Sequence, residues 1–234
     1  MNSIILNQDS SEIVDLKILN HLHQTMKVAV NDTIRVTRLN HDRQLAKIIE
    51  LTPTQCRLSF IQNEKASEPW IDLVVGVSRP QTMKKILEHG STYGVGNFHF
   101  YRAALSEKSY LDSKIFEKNS IEEHIHLGLS QSALYFREPK VFQYKYNPAK
   151  NFENISQKFI LDLEGNKSFS DYNIDFDKPI VISIGPERGF ITEDINRFRE
   201  AGFQSVKVSE SILRVEHAAY SAMAQLELLK KMEK

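Results

Sequence analysis

Cysteine is nearly missing from this chain: Cys56 is the one thiol in 234 residues. That excludes an intrachain disulfide and a zinc site built from several thiolates. The segment Gln55-Cys-Arg-Leu-Ser-Phe60 is strand-like, so Cys56 reads as a small, half-buried side chain rather than a nucleophile. Long apolar runs are also missing, and the first residues lack the charged-then-apolar layout of a signal peptide. The expected location is therefore the cytoplasm, with no membrane partner. Neither sign of charge is in excess, with 30 basic and 30 acidic residues. A nucleic-acid partner would have to be drawn by a local patch or by a surface of the fold. Histidines are present without metal-ligand spacing. His21 and His23 alternate on a strand-like segment, while His124 and His126 stand two apart on a helix and diverge, so no metal is expected.

Two patterns follow one another along the chain. Up to residue 68 it reads as β-rich: Lys27-Val-Ala-Val30, Thr33-Ile-Arg-Val-Thr-Arg38, Leu45–Leu51 and Cys56–Ile61 alternate or cluster β-branched residues. Asn31-Asp32, Asn40-His-Asp42 and Thr52-Pro53 separate them as turns, and short strands at even spacing suggest a small barrel. Lys27, Arg35, Arg38 and Arg43 lie close together there. Two readings stand: a solvated strand face, or a surface that positions RNA phosphates.

The polar stretch Glu64–Pro69 breaks the periodicity and marks a boundary, giving domains 1–68 and 69–234. Beyond it strands and helices alternate. Trp70–Val77, Asn97–Tyr101, Phe159–Leu163, Ile180–Ile184 and Ser205–Ser209 read as strands. Helices are expected from Pro80 to about Gly94, from a capping box at Ser120 to about Tyr135, from an N-cap at Thr192 to Glu200, and from Leu213 onward. The last has Val215, Ala218, Ala219, Ala222, Met223, Leu226 and Leu229 along one face. Such alternation implies an α/β domain with a mostly parallel sheet.

Chemistry is expected where the apolar run Ile180–Ile184 ends in Gly185-Pro-Glu-Arg-Gly189. Glycine and proline make that a tight loop of exposed backbone at the carboxyl end of a buried strand, where ligands bind in open α/β sheets. Ala201-Gly-Phe, Val206-Lys-Val-Ser and Ile212-Leu-Arg-Val-Glu-His-Ala-Ala219 follow it. This series resembles the RsmE-type 16S ribosomal RNA uridine N3-methyltransferases of the SPOUT superfamily, with their Gly-Pro-Glu-Gly-Gly loop and Leu-Gly-x-Arg-Ile-Leu-Arg-x-Glu-Thr-Ala segment. Weaker echoes lie in His21-Leu22, Thr92-Tyr-Gly-Val95, Ser106-Glu-Lys-Ser109 and Gln131-Ser132.

The resemblance implies a small PUA-like β-barrel that binds RNA, followed by a SPOUT trefoil-knot domain. It also implies a homodimer, S-adenosylmethionine as methyl donor, and ribosomal RNA of the small subunit as partner. Three loops would hold the cofactor. Leu161 and Leu163 belong to the first, and Ile184, Gly185, Pro186, Glu187 and Gly189 to the second. Val208, Ser209, Ile212, Leu213 and Val215 belong to the third. Arg214 is the first choice for holding a phosphate or the uracil anion, with an internal ion pair as the alternative. Glu216 either accepts a proton or orients Arg214, or serves as a helix-start partner. Glu187 has a second reading, as a carboxylate bracing its own loop. Lys27, Arg35, Arg38 and Arg188 are the candidate RNA contacts.

The chain also departs from the pattern. Arg188 stands where the family has the second loop glycine, and a position requiring positive φ would be strained by it. Ser209-Glu-Ser211 replaces a stretch with a glycine and an arginine, and His217 replaces threonine. Two alternatives therefore accompany the family's activity: another RNA target, or a catalytically silent RNA-binding or ribosome-assembly paralogue.

Overall fold

Ile71–Gly76 (β6) and Ile180–Ile184 (β10) are apolar almost without interruption because they lie side by side, covered on both faces. They form the middle of a six-stranded sheet in which every neighbouring pair is parallel. Val95–Tyr101 (β7) and Lys140–Tyr144 (β8) extend it beyond β6; Gln157–Leu161 (β9) and Gln204–Val206 (β11) extend it beyond β10. The chain thus runs outward through β6, β7 and β8, then returns to fill the other half. The junction of β6 and β10 is the switch point. The structure is a computed structural model and describes residues 3–6, 10–65 and 67–233.

The chain divides into two compact units, Met1–Glu68 with Leu129–Glu138, and Pro69–Gly128 with Pro139–Lys234. In the second unit, helices Pro80–Tyr93 (α2), Lys118–Gln131 (α3), Thr192–Glu200 (α4) and Val215–Met232 (α5) accompany the sheet. α2 starts on proline and ends at Gly94 with φ 84°, and it packs on α5, whose small residues allow the close approach.

The first unit is a curled five-stranded sheet. Its strands are Ile4–Leu6 (β1), Glu12–Ile13 (β2), Thr33–Arg38 (β3), Asp42–Leu51 (β4) and Cys56–Asn63 (β5), in the order β1-β3-β4-β5-β2. β1 and β3 are parallel; the other pairs are antiparallel. Register shifts at Leu45/Ala46 and Ile48/Glu50 bend the longest pair. Ile34, Val36, Ala46, Ile48, Cys56 and Leu58 fill the core, so Cys56 is fully buried rather than half-buried.

Several sequence expectations are corrected. Lys27–Val30 is not a strand, because the helix Leu16–Asn20 (α1) runs on into a π-helical turn, His21–Met26, that ends at Lys27 with φ 52°. His21 and His23 therefore lie on that turn. α3 begins two residues before Ser120, which is inside the helix, and ends at Gln131 rather than Tyr135. The chain turns there because Ser132 Oγ accepts the N–H groups of Leu134 at 3.2 Å and Tyr135 at 2.9 Å, and residues 129–138 belong to the first unit. The buried Arg43 guanidinium donates to the carbonyls of Leu129 and Tyr135 at 3.3 Å each, and to Thr37 Oγ1 at 3.0 Å. Ile191, not Thr192, precedes α4; β11 stops at Val206, and α5 begins at Val215. β8 is an addition to the expected strands, although Lys140-Val-Phe-Gln-Tyr144 carries β-branched and aromatic residues. Ala66 of the boundary stretch lies outside the described residues.

Candidate active site

The three expected loops meet. They leave the carboxyl ends of three adjacent strands, β9 at Leu161, β10 at Ile184 and β11 at Val206, and surround one open cavity of about 350 Å³. Leu161, Leu163, Ile184, Gly185, Pro186, Gly189, Val208, Ser209, Leu213 and Val215 all line it. Its size lies within the range of small-molecule sites, which is roughly 300–1,000 Å³. Much of its wall is aliphatic; Gly185, Gly189 and Phe190 also line it, with Asp162, Glu164, Arg188, Thr192, Lys207, Ser209 and Ser211 as its polar residues.

Each loop is fixed by its own hydrogen bonds. In the second, the N–H of Gly189 donates to Pro186 O at 2.8 Å, closing a turn over Glu187 and Arg188. Gly189 has φ 75°; Arg188 is not among the residues with positive φ. The anticipated strain at Arg188 is absent, because the left-handed position falls on the glycine after it. Pro186 can sit close to β6 only because Gly76 has no side chain: a Cβ there would lie 2.8 Å from Pro186 Cδ.

The first loop is held by Asp162, whose importance the sequence does not signal. Its buried carboxylate accepts from Arg199 at 2.9 Å, Ser205 Oγ at 3.1 Å and the Glu164 N–H at 3.1 Å. In the third loop the Ser211 N–H donates to Ser209 Oγ at 3.0 Å, so the serine-rich replacement makes its own turn.

Glu187, Ile212, Arg214 and Glu216 are grouped differently from the expectation. They line a second cavity of about 530 Å³ with Arg79, Gln81, Thr82 and Lys85. Leu213 and Val215 border both cavities. Glu187 braces this side: it accepts the N–H of Arg79 at 3.4 Å and pairs with its guanidinium at 3.3 Å. Ile212 is 85% exposed. Arg214 is the exposed residue before the first turn of α5, and its guanidinium has no ion pair or hydrogen bond among the described residues. The internal ion-pair alternative therefore finds no partner.

The RNA methyltransferase domain family matches residues 65–227. The chain belongs to that family. The RsmE-type resemblance read from the sequence is borne out. Ribosomal RNA small subunit methyltransferase E 1 of Borreliella burgdorferi is 31% identical over 156 residues, covering 64% of this chain and 63% of that protein's length. The corresponding enzyme of Treponema pallidum is 24% identical over 213 residues, covering 87% of this chain and 80% of that protein. Among solved structures, ribosomal RNA small subunit methyltransferase E of Neisseria gonorrhoeae, bound to S-adenosyl methionine, superposes with a TM-score of 0.79. It shares 20% identity over 98% of both chains. That likeness fixes the fold as the expected SPOUT domain preceded by a PUA-like barrel.

In this RNA methyltransferase family member the expected RNA contacts are dispersed. Arg188 is exposed at the first cavity. Arg35 is tied to Glu64 through Nε at 2.9 Å, and Arg38 is tied to Asp42 and lies over the Phe60 ring. Lys27 ends the π-helical turn. Arg43, read with them as one basic group, is buried and holds backbone carbonyls.

Glu216 is 3% exposed and accepts from Lys85 Nζ at 3.1 Å. Burial pushes its carboxyl up, but the amide at the helix start and the Lys85 ammonium outweigh that, leaving the net shift downward. A carboxyl depressed in the folded state contributes stability above its unfolded value and loses it as pH falls through the folded one. Glu216→Gln is expected to cost about 1–2 kcal/mol at pH 7, discounted for the half-exposed lysine. Urea titrations across pH should show the gap to the parent protein closing below the ordinary carboxylate value of 4.5. A gap unchanged down to pH 3 would contradict the pairing.

Proposed function

We propose that this protein is an S-adenosylmethionine-dependent methyltransferase that modifies N3 of a uridine in small-subunit ribosomal RNA, acting as a cytoplasmic homodimer. The observation that carries the reading is the pair of cavities with the shared wall Leu213 and Val215, one lined by the three strand-end loops and the other by Arg214. Family membership and the names of the relatives support it.

The residues of the first cavity suit the donor. Its aliphatic walls match the faces of an adenine ring, and backbone amides and carbonyls of Leu161–Leu163 and Gly185–Gly189 can read the base edge without dedicated side chains. When bound, S-adenosylmethionine supplies a methyl group already activated on a sulfonium.

The chain's own work is on the acceptor. Uracil N3 is a poor nucleophile until its weakly acidic proton leaves, and negative charge then spreads onto the ring oxygens. Arg214, a permanent cation in the second cavity, offsets that charge or holds the adjoining phosphate. Glu216 is buried, ionised and paired with Lys85, which makes it a poor general base near neutral pH. Its role is to anchor the start of α5, on which Arg214 is mounted.

Calorimetry with S-adenosylmethionine should give one site per chain, and analytical ultracentrifugation should give a dimer. Nucleosides from the small-subunit RNA of a deletion strain should lack one N3-methyluridine, restored by the wild-type gene. Cofactor binding with an unchanged nucleoside profile would move the target to another RNA. No heat well above micromolar cofactor would leave a silent RNA-binding protein.

A further inference from the structure

The outer edge of the parallel sheet carries a feature that neither cavity uses. From Pro139 to Phe152 the chain holds Lys140, Lys145 and Lys150 and no acidic residue, in a protein whose net charge is zero. All three lysines are exposed, and none has a carboxylate partner among the described residues. The same stretch exposes two rings: Phe142 is 39% and Tyr146 71% accessible.

Phe142 is supported from beneath. Phe142 on β8 stacks on His99 of β7 with centroids 4.9 Å apart and planes 9° from parallel. His99 in turn accepts or donates at 3.0 Å to the Tyr144 hydroxyl through Nδ1 and meets the edge of Phe152 at 4.9 Å. Burial lowers His99 to a pKa of about 4, so this platform is neutral at physiological pH. The Lys145 ammonium lies 5.6 Å from the centre of the Tyr146 ring.

Lysine on an edge strand is a common defence against strand pairing. Defence does not account for Phe142 and Tyr146, since exposed rings on an open edge raise the risk that the lysines would lower. Flat aromatic faces among unpaired cations are what an unpaired polynucleotide needs: π-faces for bases and positive charge for phosphates.

We propose that β8 and the residues that follow it, Lys140 to Lys150, form a second RNA-binding surface that takes an unpaired strand, with bases stacked on Phe142 and Tyr146. The inference rests on the ribosomal RNA reading above. The surface would hold single-stranded RNA flanking the target and would be indifferent to its sequence.

Fluorescence anisotropy with a labelled uridine 12-mer and with an RNA duplex of equal length tests this, using the full chain. Tyr146→Ala and Phe142→Ala should each weaken the single strand about tenfold and leave the duplex nearly unchanged. Lys140→Gln, Lys145→Gln and Lys150→Gln combined should reduce the slope of log affinity against log salt by about 2. Calorimetry with S-adenosylhomocysteine on the same variants should stay at the wild-type value, which separates failure here from failure of the methyltransferase reading. Equal losses on duplex and single strand, or no loss, would overturn the proposal. So would a dimer weakened by Tyr146→Ala, which would make this edge an interface between copies.

Discussion

Arg214→Ala is expected to lower the rate of methyl transfer to small-subunit RNA by about 10²- to 10³-fold, the usual effect of removing a charge-stabilising donor. Cofactor affinity should stay close to wild type. The split follows from geometry: Arg214 lines the second cavity and not the first, and its guanidinium is not spent on a partner within the described chain. Arg214→Lys should recover part of the rate, because it restores the charge without the planar fork. Single-turnover rates and calorimetry on the three proteins make the comparison. A parallel fall in cofactor affinity would assign Arg214 to the donor cavity, and an unchanged rate would remove it from the chemistry.

Gly189→Val should weaken S-adenosylmethionine binding by about tenfold or more while the thermal unfolding profile stays cooperative. The native φ of 75° puts this position where a β-branched residue costs roughly 1–2 kcal/mol or more. Space is not the obstacle, since a Cβ at Gly189 would meet nothing within 4 Å. The loop would relax by opening the 2.8 Å hydrogen bond to Pro186 O, and that turn lines the first cavity, proposed above for the donor. Arg188→Gly is the control. It restores the residue expected from the family pattern, but Arg188 already has ordinary backbone geometry, so affinity should barely change. Wild-type affinity in Gly189→Val would mean that the turn does not shape the site.

Much of the first cavity is legible in the amino-acid order alone. The buried strand Ile180–Ile184, its abrupt end in Gly185-Pro186, and the left-handed glycine at 189 are backbone properties of short segments. Local residues dictate them, so they survive whatever the rest of the chain does. The same holds for α2, bracketed by Pro80 and Gly94.

Elsewhere a neighbouring or a distant segment overrules local preference. Lys27-Val-Ala-Val30 has strand composition, yet the π-helical turn preceding it ends on Lys27 itself. Arg43 holds the carbonyls of Leu129 and Tyr135, residues far from it in the chain, a pairing that no local pattern shows. Asp162 has the look of any strand-end carboxylate; Arg199 from α4 and Ser205 from β11 make it a loop anchor.

The α/β character of the second half and the tight loop after Ile184 are written into the chain's own residues, through glycine and proline positions and the period of apolar residues, which act over a few neighbours. The family and the three loops are legible through the motif resemblance carried by Gly185–Gly189 and Ile212–Ala219. Folding in three dimensions added the separation of Arg214 and Glu216 into a second cavity beside Arg79 and Lys85. It likewise brought Phe142 and His99 together into one exposed aromatic edge. Side chains that act together there come from strands and helices far apart in the chain, and their meeting depends on strand order, which no local pattern encodes.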